Sequence, residues 1–508
     1  MKLSELLFEG EYTSDRDPRT IEITRIVSDT AKLERGCLFV CIRGTKHDTH
    51  RMMTYISKQG AAAVVVEKGC SFSRIPSLPI FEVKNSREML AFLWNRFCGM
   101  PAKQLHLIGV TGTNGKTSTT HMIHSILCTA GIKAGLIGTI GCKLGDEEYI
   151  PTFPEAKESR FMTMTTPDAE LLYPTLAEMV QKGVTHVVME VSSHSLALGR
   201  VAPLFFDVGV FTNLSSDHLD MHKSVENYRM EKKKLFLQCA VGIYNQDDPN
   251  TPDMYADSPC KRVLCSTKQS SDYTATKITY QGIRGISYIV DARDARFSLK
   301  LRLPGEFSVY NSLLAAATAS ELGIGASPIR KALEQLPVVK GRMERVEIGR
   351  DDFCVLIDYA HTEAALRGLL KMVRGCKKPE ERIVVLFGCG GDRDATKRAP
   401  MGACAMEYAD YAIITSDNCR TEDPKAIITD ILKGFTNSEK RKVFLSRKKA
   451  IEYAVMHAKA NDILLLVGKG HEPYEIIGKD IYPFDERKIV QEAIRSRLDA
   501  HTTKTENE

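Results

Sequence analysis

The apolar positions of this chain fall into short runs broken by polar, glycine-rich stretches, and their spacing predicts strands and helices in alternation. In the first hundred residues Cys37 to Ile42 and Ala61 to Glu67 are β-like runs. Ser86 to Phe97 has a helical period and stops before Gly99 and Pro101, so a small α/β domain with a linker near residue 100 is expected. Leu105 to Val110 then leads through a glycine-rich turn into a helix-like segment, the order of a phosphate-binding α/β unit. His186 to Val191 and Asp207 to Phe211 read as further strands that end in polar residues. Residues 266 to 303 alternate β-branched and charged positions like antiparallel hairpins.

Past Pro337 to Val346, which has no clear period, four runs alternate with helical segments and predict a parallel sheet: Cys354 to Ile357, Ile383 to Phe387, Tyr411 to Thr415 and Ile463 to Val467. The expected domains are 1–100, 101–336 and 337–508. Length agrees with this division, because 508 residues exceed what one hydrophobic core organises.

Composition narrows the class. With 43% apolar and 26% charged residues the chain is an ordinary globular protein, neither disordered nor fibrous. A formal charge of +5, spread evenly, is too small for a duplex-binding stripe, so no nucleic-acid partner is expected. Glu5 and Glu9 interrupt the start where a secretory signal needs an apolar stretch, and no run is long enough to span a bilayer. A cytoplasmic protein without a membrane partner is the expectation. The fourteen cysteines are scattered with no C-x-x-C pair, and they read as reduced small hydrophobes rather than disulfides or a zinc site.

Chemistry gathers where predicted strands end. Gly109-Val-Thr-Gly112-Thr113-Asn114-Gly115-Lys116-Thr117-Ser118 follows a strand and opens a helix. Its glycines let backbone N–H groups approach phosphate oxygens, Lys116 can reach the outer phosphates and Thr117 can ligate Mg²⁺. Val110 stands where a strict Walker A pattern needs glycine. Glu190 ends a second strand, and Asp217, His218 and His222 follow a third, so carboxylate and imidazole ligands are available in the same domain. The charge run Glu231 to Lys234 reads by composition as a solvated helix face. In the last domain all four strand-like runs lead into polar clusters: Asp358-Tyr-Ala-His361, Gly388-Cys-Gly-Gly-Asp-Arg393, Asp417-Asn-Cys-Arg420 and Gly468-Lys-Gly-His-Glu472. Ligands bind beyond the carboxyl ends of parallel strands, so four such clusters predict one site. Arg393, Arg420 and Glu472 suit a zwitterion, since guanidinium groups bind carboxylates and a carboxylate accepts from an ammonium.

Taken together these motifs resemble the Mur ligases, over nearly the whole chain. TGTNGKTS is similar to that family's own phosphate loop, which is shared with folylpolyglutamate synthetases; the Asp417-Asn-Cys-Arg420 and Gly468 to Glu472 clusters are more specific. The resemblance implies an α/β, three-domain architecture with a central P-loop ATPase domain and a C-terminal Rossmann-like domain. It implies ATP-dependent addition of meso-2,6-diaminopimelate to UDP-N-acetylmuramoyl-L-alanyl-D-glutamate through an acyl phosphate. The alternatives are the same ligation with L-lysine, folylpolyglutamate synthesis, or a non-catalytic nucleotide-binding regulator on the same fold.

By resemblance, the loop Gly112 to Ser118 with Asn311, Arg342 and Asp358 serves ATP, and Thr117, Glu190, His218 and Lys232 hold Mg²⁺. Lys232 falls on the family's carbamylated lysine in Tyr228-x-x-x-Lys232-x-x-Leu235-Phe236. Lys116, Lys232 and His218 are the expected catalytic residues. Thr30, Thr45, Lys46, Thr165, Thr166, Ser192 and Arg200 would hold the nucleotide precursor. Arg393, Asp417, Asn418, Arg420, Gly468 and Glu472 would hold the amino acid. Cys419 replaces the usual proline of Asp-Asn-Pro-Arg, and Ala31 ends what is normally Asp-Ser-Arg. A monomer is expected.

Overall fold

The computed structural model describes the whole chain except residues 45–46, 154–163, 216–218, 337–338, 350–351 and 506–508. It packs as two compact units, Met1–Leu264 and Cys265–Glu508.

In the first unit a five-stranded sheet has the order Tyr12–Thr13, Ile80–Val83, Ala63–Glu67, Leu38–Val40 and Ile26–Val27. The helix Ser86–Phe97 starts where the Asn85 side chain accepts from the N–H groups of Arg87 and Glu88, a conventional N-cap. Its apolar face, with Leu93 and Trp94, joins one continuous core that also takes in Leu107, Leu172, Val187 and Phe236. The following strands run in the order Cys239–Asn245, Phe206–Phe211, His106–Thr111, His186–Glu190 and Ala134–Gly138. The pairs on either side of His106–Thr111 and His186–Glu190 are parallel, while Gly141–Leu144 and Glu147–Tyr149 add an antiparallel edge.

The second unit begins with the antiparallel strands Tyr273–Tyr280, Ile286–Ala292 and Arg296–Leu301, followed by the helices Glu306–Glu321 and Ala326–Glu334. Its main sheet has the order Glu344–Arg345, Cys354–Asp358, Asp462–Val467, Arg382–Phe387, Tyr411–Ile414 and Arg441–Val443. All neighbours are parallel except the first pair. Asp462–Val467 lies in the middle and every one of its residues is buried, as an apolar run covered on both faces must be. One core, with Leu366, Met401 and Ile427, covers one face of the sheet. A second, with Ile451 and Val490, covers the other. Registers pair Asp358 with Val467, Val467 with Phe387, and Phe387 with Ile414, so four strands finish level with one another.

All fourteen cysteines are free thiols. Among the described residues no helix is long and apolar enough to cross a membrane.

Candidate active site

In the first unit the strand His106–Thr111 ends at Gly112, whose φ is +147°. A Cβ at Gly112 would stand 1.9 Å from Thr212 Oγ1, so only glycine lets the loop pass this close to the neighbouring strand's end. Asn213 clamps the loop from that strand: its carbonyl accepts from Thr113 N–H at 2.8 Å and its Oδ1 from Asn114 N–H at 3.0 Å. The helix Lys116–Thr129 follows directly, so its first-turn amides and dipole face the loop, the arrangement that binds anions. Lys116 Nζ donates to the carbonyls of Gly112 and Thr113, both at 2.8 Å.

Lys232 reaches the same loop. It is 1% exposed, and its Nζ donates to Gly112 O at 2.8 Å and lies 4.4 Å from the Tyr228 ring centre. Composition read the run Glu231 to Lys234 as a solvated face; for Lys232 the structure shows the reverse, because one position in each helical turn of Val225–Leu237 faces inward.

Glu190 is also 1% exposed and ends a strand in register with Val110, two residues before the loop glycine. Its Oε1 accepts from Thr139 N–H at 2.9 Å, and its Oε2 lies 3.1 Å from the Thr139 hydroxyl. That hydroxyl is 3.1 Å from Thr165 Oγ1. Thr166 Oγ1 donates to Glu190 O and accepts from Ser192 N–H at 3.0 Å. Arg200 donates to Thr166 O at 2.8 Å and pairs with Asp168 at 2.7 Å. Thr165, Thr166, Ser192 and Arg200 are therefore brought into one cluster beside Glu190. Thr30 opens a short turn capped by Asp29, and Lys32 of that turn pairs with Glu170, two residues from Asp168.

Three expected contacts, Thr45, Lys46 and His218, lie outside the described residues. Sequence reasoning missed Thr139, the direct neighbour of Glu190, which carries no motif. His222, one of the imidazoles expected after the third strand, is buried, and its Nε2 is 3.0 Å from Ser193 Oγ. Among the described residues no group of three or more His, Cys, Asp and Glu side chains forms a metal cluster.

In the second unit the four clusters meet where the four strands finish. Asp358 accepts from Met343 N–H at 2.8 Å and Ala360 N–H at 2.9 Å; burial raises its carboxyl above the ordinary range while Arg342 opposes the rise. The Arg342 guanidinium lies 4.9 Å from the Tyr359 ring centre, and the His471 ring lies 4.9 Å from it as well. Gly468 has φ +112°, and a Cβ there would meet Asp417 Oδ2 at 2.8 Å. Asp417 is buried, which pushes its carboxyl up, yet Lys469 and Arg447 outweigh burial and hold it below its ordinary value.

Arg420 sits at φ +50°, its guanidinium donating to Gly391 O at 2.8 Å. Its backbone pairs with the hairpin Tyr474–Ile477 and Asp480–Pro483 through Ile476 O and Gly478 N. Arg393 is exposed at the edge of this region, and Asn311 is buried in the helix Glu306–Glu321 outside this hydrogen-bond network. The fully buried Arg447 was not anticipated: its Nε donates to Glu486 at 2.8 Å and its Nη2 to Val467 O at 2.9 Å, bracing the end of the central strand. Its run, Arg447-Lys-Lys, looks like surface.

Family models for the Mur ligase middle domain and for the Mur ligase, glutamate ligase domain match residues 110–319 and 341–470. The UDP-N-acetylmuramoyl-L-alanyl-D-glutamate--2,6-diaminopimelate ligase of Bacillus cereus is 40% identical over 486 residues, covering 94% of this chain and 95% of that protein. The chain belongs to the Mur ligase family. A solved structure of a ligase of the same name aligns with a TM-score of 0.69 at 27% identity, over 98% of this chain and 99% of that one. The MurF ligase from Thermotoga maritima in complex with ADP shares the Mur ligase fold, with a TM-score of 0.56 at 18% identity over 94% of this chain and 98% of that one. The α/β, three-domain Mur ligase architecture is thus the architecture of this chain.

Proposed function

We propose that the chain is an ATP-dependent ligase that joins meso-2,6-diaminopimelate to the γ-carboxylate of UDP-N-acetylmuramoyl-L-alanyl-D-glutamate, releasing ADP and phosphate. The observation that carries this reading is the 40% identity, over nearly the full length of both chains, to a ligase of that name. The reading includes the domain boundaries 1–100, 101–336 and 337–508, action as a monomer in the cytoplasm, and service to cytoplasmic peptidoglycan precursor synthesis.

A carboxylate does not acylate an amine, because its leaving group would be oxide; transfer of the γ-phosphoryl group of ATP supplies a better one. The loop Gly112 to Ser118 holds the phosphates. Lys116 leaves the carbonyls of Gly112 and Thr113 to offset charge on the transferring phosphoryl group, a purely electrostatic contribution. Asn311, Arg342 and Asp358 serve the nucleotide; Thr30, Thr45, Lys46, Thr165, Thr166, Ser192 and Arg200 serve the muramoyl dipeptide. The amino acid lies against Arg393, Asp417, Asn418, Arg420, Gly468 and Glu472. There Glu472 accepts from an ammonium and Arg420 grips the carboxylate at the far end of diaminopimelate. The reacting amine attacks in its neutral form, and phosphate departs as the amide forms.

The buried carboxylate of Glu190 and the buried hydroxyl of Thr117 are oxygen donors beside a phosphate loop, a set that fits Mg²⁺. With His218 and a carbamate on Lys232, formed from its amine and CO₂ with loss of a proton, they would hold that ion. Bound there, Mg²⁺ supplies positive charge against the phosphates. The test is ADP formation with the muramoyl dipeptide and a panel of amino acids. Turnover with meso-diaminopimelate well above that with L-lysine is expected, and equal use of both would overturn the substrate assignment.

A further inference from the structure

Lys469 is fully buried just beyond the strand Asp462–Val467. A buried ammonium is costly unless it is paired and hydrogen-bonded, so its partners define its purpose. Nζ lies 2.9 Å from Asn418 Oδ1, 3.4 Å from Asp417 Oδ1 and 3.7 Å from Glu472 Oε2. Asn418 Oδ1 receives a second donor, Ile476 N–H, at 3.0 Å. Two donors aimed at one end of the amide identify that end as oxygen, since a flipped amide would set N–H groups against both. Nδ2 is therefore fixed on the opposite side, where it donates to Glu472 Oε2 at 2.8 Å. Its second hydrogen has no protein acceptor among the described residues.

Building on the proposed ligase reading, we propose that Lys469 is a positioning residue for the incoming amino acid: it locks the Asn418 amide in one orientation and keeps Glu472 an anion ready for an ammonium. The charged and titratable groups facing Glu472 are Lys469, Asp417, Arg420, Tyr359 and Tyr474. Burial pushes the Glu472 carboxyl up and Asp417 adds to the rise; Lys469 is the strongest opposing influence. Without Lys469, two buried carboxylates would face each other, and Glu472 would take up a proton at higher pH. A protonated Glu472 presents a donor where the substrate ammonium needs an acceptor.

The test is steady-state kinetics of the full chain. Lys469→Met removes both the donor and the charge. Because it leaves the buried Asp417 with one cation fewer, the double variant Asp417→Asn/Lys469→Gln, which removes that carboxylate together with the neighbouring ammonium, is measured beside it. In Lys469→Met the KM for diaminopimelate should rise at least about tenfold, the usual consequence of losing a charge-assisted contact. The double variant, which keeps an N–H for Asn418, should show a smaller rise. In both, the KM for ATP and for the muramoyl dipeptide should stay within about twofold of wild type. In Lys469→Met alone, the pH at which the diaminopimelate KM climbs on acidification should move upward. An unchanged diaminopimelate KM, or all three KM values moving together, would overturn the proposal. Should the wild type use a different amino acid, the same comparison is made with that one, so the substrate reading and the positioning reading fail separately.

Discussion

Arg420 keeps a left-handed backbone at the position where selection of the amino acid is expected to lie. Such a conformation costs an L-residue about 1 to 2 kcal/mol, and glycine avoids that cost at the expense of greater freedom in the unfolded chain. Those two effects nearly cancel, so Arg420→Gly should leave stability within about 1 kcal/mol of wild type, read by thermal melting. The same change removes the guanidinium that grips the distal carboxylate. Losing a charge-assisted bond worth roughly 1.5 to 3 kcal/mol should lower the preference for diaminopimelate over L-lysine about 10- to 150-fold. A variant that kept its selectivity would place the deciding contact elsewhere. Arg420 was legible in the sequence because it stands in a motif after a strand. Lys469 was visible only as a letter in such a motif, and its burial follows from where Asn418 and Ile476 converge, which spacing cannot report.

The strand, loop and helix around Gly112 behave as one element, since Thr212, Asn213 and Lys232 all touch the loop from other parts of the fold. Gly112→Ala would drive a methyl into Thr212 Oγ1 and force an L-residue to a φ of +147°. The loop must shift, and the Lys232 contact with Gly112 O shifts with it. A loss of about 2 to 4 kcal/mol in stability is expected, from strain and overpacking together. ATP affinity should fall with it, measured by nucleotide-dependent melting; unaltered affinity would show that the loop tolerates the side chain.

At this scale the sequence was most readable where an apolar run is long and punctuated. Ser86 to Phe97 is the observed helix, and the four runs of the last domain match their strands to within a residue or so at each end. Arg441–Val443 escaped because it is a short edge strand, largely exposed, and therefore under no demand to be apolar. Ile80–Val83 escaped because Glu82 interrupts its short apolar run.

Across the whole molecule, acid acts differently on the two units. Burial holds His124 in the first unit and His471 in the second down to about 4, so each stays neutral when folded while its unfolded counterpart, near 6.5, takes up a proton. Each group's contribution is fully present above about pH 6.5 and is lost as pH falls toward 4, at most on the order of 3 kcal/mol. In the second unit Asp358 and Glu472 oppose this loss, because burial raises both and their protonation favours the folded state as pH falls. The first unit, where His124 is not so opposed, should weaken on acidification. Trp94, the only tryptophan, lies buried in that unit and reports it by fluorescence. Its denaturation midpoint should drop between pH 7 and pH 4.5, and His124→Gln, which cannot charge, should flatten the slope. A midpoint independent of pH would contradict the burial argument.

The ammonium of Lys116, seated on two carbonyls of its own loop, makes the loop its own competitor. An anion that enters must replace both of those bonds before it gains anything. Chloride or a lone carboxylate brings too few contacts to do so, whereas a polyphosphate satisfies the lysine and the helix amides at once. The resting loop thus works as a threshold that simple salts do not cross.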